Sequence, residues 1–199
     1  MNLLERYNTG NEIEVWNEIY SMNEITSQNE KRNDILLVLN ETMQRVRFNF
    51  ELIYSELKNS QYPFQNESKC LYPTADNEIE KLGNKVKEFG FLPLSIFYFY
   101  KSIYKINLLF QNNKTFKYRY SDPVYIESVE NILKNMDDGA WEELMFENSD
   151  DENPVYMEIS PDFYHKDNVS GGLPYGIEIT KKQQIDAKIL NTPIKICIL

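Results

Sequence analysis

The sequence predicts an α+β fold, with N-terminal helices packed on a mostly antiparallel β-sheet. Three observations carry that expectation. Apolar residues recur at three- and four-residue spacing from Ile13 to Tyr98, the period of a helix with one buried face. From Tyr104 onward, short segments alternate apolar and polar side chains, as half-buried strands do. Helices thus come first and strands later, which argues against the regular βαβ alternation of an α/β protein. The 199 residues are expected to form a single domain over 1–199, with a helical region at 1–60 and an α+β body at 75–199.

Each element has its own signal. Ile13, Trp16, Ile19 and Tyr20 share one helical face, and that helix should end before Ser27. Ile35, Leu39, Met43, Val46, Phe50, Ile53 and Leu57 then form a continuous stripe, predicting a long helix over about 33–57. Phe48, Phe50 and Tyr54 favour packing against a sheet or other helices over a coiled coil. Pro63 and Pro73 bracket a polar loop. Ile79, Leu82, Val86 and Phe89 predict a third helix, stopped at Gly90. Pro93 suits the first turn of a fourth helix carrying Leu94, Phe97 and Tyr98.

Ile106, Leu108 and Phe110 alternate as a strand, and residues 115–120 alternate aromatics with Lys and Arg. Asn112-Asn113 between them reads as a hairpin turn. Val124 to Ile126 is a short strand. Ile126, Val129, Ile132 and Leu133 begin a helix or a helical turn. Residues 155–159, 175–179 and 194–199 read as later strands, with a small helix at Ile185, Ile189 and Leu190.

Composition narrows the function. Hydrophobic residues make up 42% of the chain and aromatics 14%, enough to build a core. The net charge is −10, and Lys and Arg are dispersed among acids. A nucleic-acid partner is therefore not expected, because phosphate binding needs a basic face. The N-terminus lacks the apolar run of a signal peptide, and no segment has the length of a membrane span. A cytoplasmic protein without a membrane partner is expected. Cys70 and Cys197 lack a CxxC spacing and read as reduced thiols. The sequence leaves the oligomeric state open.

Two segments are candidate sites. The first surrounds the only histidine and includes Asp122, Asp162, His165, Lys166, Asn168, Ser170, Gly171, Gly172 and Tyr175. It supports two readings. In one, His165 is a base or ligand oriented by Asp162 or Asp122 beside Ser170, forming a pocket for a small molecule or an enzymatic reaction. In the other, the block is a cap-rich structural corner, with Ser160 and Pro161 starting a helical turn and the glycines permitting positive φ. The structural reading is favoured. No nucleophile elbow, P-loop or EF-hand spacing is present, so no catalytic residue, cofactor or metal is assigned.

The second candidate is a partner-binding segment formed by Trp141, Glu142, Glu143, Glu147, Asp150, Asp151 and Glu152. Its acidity suits a basic protein; a solvated loop is the plainer reading. Arg45, Arg47 and Asn49 on the long helix read as braces for the protein's own acids.

Several blocks carry a resemblance. They are Glu41-Thr42-Met43-Gln44-Arg45-Val46-Arg47, Tyr62-x-Phe64, Gly90-x-Leu92-Pro93-Leu94, Tyr120-Ser121-Asp122-Pro123-Val124, and His165-Lys166-Asp167-Asn168-Val169-Ser170-Gly171-Gly172. Their order resembles a group of uncharacterised bacterial proteins. The Leu-Pro start and aromatic helix around Phe97-Tyr98 are also similar to the SUKH superfamily, although Ser102-Ile103-Tyr104 stands where such proteins often have Gly. That resemblance implies an α+β domain and an immunity protein that binds and neutralises a toxin. The expected function is accordingly a non-enzymatic protein-interaction module with a basic toxin as partner.

Overall fold

The computed structural model describes residues 1–22, 31–66, 71–110, 124–137, 155–160 and 175–187. In chain order these form α1 (Leu3–Asn8), α2 (Glu12–Tyr20), α3 (Arg32–Asn59), α4 (Asp76–Val86), α5 (Leu94–Ser102), β1 (Ile106–Asn107), β2 (Tyr125–Ile126), α6 (Val129–Met136), β3 (Val155–Ser160) and β4 (Tyr175–Ile179). The fold is mixed α+β, with helices taking the larger share. Among the described residues, the expected sheet is represented by two antiparallel pairs, β1 with β2 and β3 with β4.

The helix α1 escaped the periodicity analysis because six residues hold less than two turns. Its start is written locally. The Asn2 side chain accepts from the Glu5 backbone N–H at 2.8 Å, and the Glu5 carboxylate accepts from the Asn2 N–H at 3.0 Å. This reciprocal pair is a capping box.

The 28-residue α3 organises the rest. Its first half buries Ile35, Val38 and Leu39 with Leu3, Tyr7, Val15 and Ile19 of the first two helices. Leu94 and Ile185 join that cluster from later in the chain. Met43 turns to a second, larger core, where Val46, Phe50, Tyr54 and Leu57 pack partly buried against α4, α5, α6 and both strand pairs. Phe48 departs from the packing expected of it and faces solvent. Trp16 leans on the first core, its ring 5.6 Å from that of Tyr20.

Arg45 ties the N-terminal helices to α3. It reaches Glu12 at 3.1 Å, Glu41 at 3.0 Å and Asn8 at 2.8 Å, and its guanidinium lies over the Tyr7 ring. Arg47 pairs with Glu51 at 3.0 Å along the same helix. Asn49 is exposed.

Helix ends explain the remaining connections. At the end of α3, Gln61 adopts φ 59°, its N–H bonds the Lys58 carbonyl, and the Tyr62 N–H bonds the Leu57 carbonyl. That is a Schellman closure with Gln in the position usually given to Gly. Pro93 stands at the N-cap of α5, one position before its expected place. The first N–H groups of α5 are satisfied by later chain: Leu94 donates to the Gln184 carbonyl and Ser95 to that of Ile185. Serving that role, residues 181–187 are not helical, so Ile185 stands outside the small helix expected of it, and the rest of that helix lies outside the described residues. Among the described residues, the strand expected through Phe110 pairs with β2 at Ile106 and Asn107, the Leu108 N–H adds a bond to the Val124 carbonyl, and Phe110 makes an isolated bridge to Phe64. The helix begun at Val129 is real and starts at Ser128, whose side chain caps the Asn131 N–H.

The expected strands at 115–120 and 194–199, the turn at Asn112-Asn113, the residues Ile189 and Leu190, and both Cys70 and Cys197 lie outside the described residues.

Candidate functional site

The two segments singled out from sequence fall largely outside the described residues, but their anchors are placed. Asp122, Asp162, His165, Lys166, Asn168, Ser170, Gly171 and Gly172 lie outside. So do Trp141, Glu142, Glu143, Glu147, Asp150, Asp151 and Glu152. The histidine block occupies the connection from β3 to β4, whose ends meet where Ser160 pairs with Tyr175. Ser160 is the buried last residue of β3, and the helical turn expected to start from it lies outside the described residues. Tyr175 opens β4 and packs half-buried against the larger core. The acidic segment occupies the connection from α6 to β3.

Beside these anchors lies an acidic and aromatic face that sequence reasoning missed. In β3, Val155, Met157 and Ile159 are buried, so Tyr156 and Glu158 point outward. Tyr156 pairs with Glu178 across to β4, and Glu158 pairs with Gly176. The next turn of chain adds Glu127, whose N–H donates to the Ile159 carbonyl at 2.8 Å and so sets β2 beside β3. Tyr100, wholly buried in α5, fixes the same residue from beneath by donating to the Glu127 carbonyl at 3.0 Å. The Glu127 carboxylate accepts from Asn131 at 2.7 Å. One helical turn further, Glu130 accepts from the Tyr104 hydroxyl at 3.0 Å, and the Tyr104 ring stacks on Tyr72 at 4.9 Å.

The electrostatics follow from this placement. Partial burial, and then the neighbouring Glu127 carboxylate, push the Glu158 carboxyl above its ordinary value. The Glu158 side chain remains solvent-exposed, which screens the effect. Burial, and then Glu178, likewise raise the Tyr156 hydroxyl. Among the described residues no Lys or Arg forms an ion pair with Glu127, Glu130, Glu158 or Glu178. Glu127 and Glu158 are thus neighbouring like charges with no ion-pair partner among the described residues. Residues 138–154, which lead into this face, hold seven carboxylates and no Lys or Arg.

A sequence signal for these residues exists in hindsight. Glu158 and Glu178 occupy outward positions of alternating strands, and Glu127 and Glu130 flank the helix-starting Ser128. Acids at a helix start have a structural explanation in the helix dipole, which hides any further role.

Among the described residues, no group of three His, Cys, Asp or Glu side chains could hold a metal ion, and no helix is long and apolar enough to cross a membrane. The chain matches no protein-family model, no curated protein and no solved structure.

Proposed function

We propose that this chain is a non-enzymatic protein-interaction module of the immunity type, a cytoplasmic protein that binds a basic toxin and blocks it. The Glu127–Glu158 pair carries the reading. Two carboxylates repelling each other on a partly desolvated surface gain when a cation arrives, and a Lys or Arg of a partner supplies one. Tyr72, Tyr104 and Tyr156 add rings of the kind that anchor interfaces. The acidic run at 138–154 continues the same charge. The resemblance to SUKH immunity proteins points to the same class. Occlusion is the mechanism: the acidic face steers the partner in, and docking covers the toxin's active site.

The test compares tagged wild-type chain with the triple variant Glu127→Gln, Glu130→Gln, Glu158→Gln in the native cells. A basic protein should be retained by the wild type at low salt and released at high salt. It should bind the triple variant at least about tenfold more weakly. Expressed alone it should arrest growth, and co-expression of the chain should restore it. Equal binding to the triple variant would remove this face from the account. A captured protein without toxicity would remove the immunity role.

A further inference from the structure

The outer side of α3 carries a second exposed feature, distinct in charge from the acidic face. Phe48 and Leu52 are 58% and 50% exposed, although both stand in the middle of a long helix. They are one turn apart, and they point away from Met43, Phe50 and Leu57, which pack on the core. The helix itself is electrically balanced. Within α3, Arg32, Arg45, Arg47 and Lys58 are offset by Asp34, Glu41, Glu51 and Glu56. A chain of net charge −10 repels its own copies wherever acidic surfaces meet, and α3, whose own charges cancel, adds nothing to that repulsion.

We infer that α3 is a self-association surface, on which a second copy of this chain pairs antiparallel across a two-fold axis between Phe48 and Leu52. A two-fold contact must be self-complementary. This one is: the axis sets Phe48 of one copy against Leu52 of the other. It also brings the Arg47 of each copy beside the Glu51 of its mate.

The ion pair within each helix does not compete strongly. Arg47 precedes Glu51 by four residues, the weaker order for a helical pair, so its partner is readily exchanged. Arg45 is different, because Glu12, Glu41 and Asn8 already hold it. A basic protein gains nothing from a balanced surface, and an anionic membrane repels this chain. The contact is one helix against one helix, small beside the roughly 1,200 Å² of a stable interface. Dimerisation should therefore depend on concentration in the micromolar range or above.

Sedimentation velocity across low-micromolar to near-millimolar chain should show a monomer–dimer equilibrium. Phe48→Glu should weaken it at least about thirtyfold, as loss of a central aromatic does. Arg47→Glu and Glu51→Arg should each self-associate less than wild type, because each places like charges across the axis. Mixed in equal amounts, those two variants should form a heterodimer at least as tight as the wild-type dimer. A monomer at every concentration overturns the inference. So does a dimer indifferent to Phe48→Glu, or a mixture of the two variants that does not pair. A monomer whose melting temperature falls with Phe48→Glu would overturn it too, by showing that another part of the same chain covers the row.

Discussion

Gly90 and Thr180 approach so closely that no side chain fits between them. Phe91 and Thr180 exchange backbone hydrogen bonds, at 2.8 and 3.2 Å, which pins the turn between α4 and α5 to the end of β4. A Cβ at Gly90 would collide with the Thr180 carbonyl oxygen, and φ at Gly90 is 156°. Gly90→Ala is therefore expected to destabilise the fold by about 2–4 kcal/mol, from backbone strain and the broken bridge. Urea unfolding checks this, and a loss within about 0.5 kcal/mol, the range of neutral surface changes, would show that the approach is not tight.

Tyr100 joins the core to the acidic face. Its ring is fully buried and its hydroxyl donates to the Glu127 carbonyl at 3.0 Å. Burial, and then Glu127, drive its ionisation well above the ordinary tyrosine range. Tyr100→Phe keeps the ring and leaves that carbonyl without its donor, at an expected cost of about 1–2 kcal/mol. The variant should also weaken any partner that needs Glu127 in place. Unchanged stability would mean that water replaces the hydroxyl without loss.

Gln61 offers a change in the other direction. It occupies the left-handed position that closes α3, at φ 59°, where a Cβ is strained. Gln61→Gly should stabilise the protein by about 1 kcal/mol, the left-handed penalty less the added freedom of Gly when unfolded. A rise in the denaturation midpoint without a change in slope is the expected signature. A fall would show that the Gln61 side chain has a role of its own.

Helical elements were legible in the sequence because their signals are local. The stripe from Ile35 to Leu57 dictates α3 wherever it packs, and Pro93 punctuates the start of α5; α4 ends at Val86, a turn before the Gly90 expected to stop it. Strand extent was not legible in the same way. Ile106, Leu108 and Phe110 alternate faithfully, but pairing length depends on partners, and β1 is ended after two residues. Phe48 shows the limit of composition: an aromatic in a long amphipathic helix reads as core, and only its angular position relative to Met43 and Leu57 separates it from Phe50. The Glu127–Glu158 pairing lies further beyond sequence reading. It depends on the Glu127 N–H meeting the Ile159 carbonyl across 32 positions of chain.

That pairing also makes a prediction about pH. Burial, and then Glu127, raise the carboxyl of Glu158 above its ordinary value of 4.5 in the folded state. The folded protein therefore holds this proton more tightly than the unfolded chain does. As pH rises from below 4.5 through the raised folded value, the unfolded state loses its proton first, and folding stability falls across that window. Above it the loss is constant, so at neutral pH the ionised form of Glu158 weakens the fold, by an amount that its solvent exposure keeps small. Glu158→Gln removes the charge and should raise the melting temperature at pH 7. The gain should shrink towards zero as the acid range is entered, because wild-type Glu158 is then protonated as well. A basic partner seated on this face would lower the same carboxyl and expel its proton. Binding measured inside the window should thus release protons to the buffer, detectable as a dependence of binding enthalpy on buffer ionisation. Glu158→Gln should abolish that release while weakening the complex. A stabilising Glu158→Gln with no proton release on binding would place the partner elsewhere on the molecule.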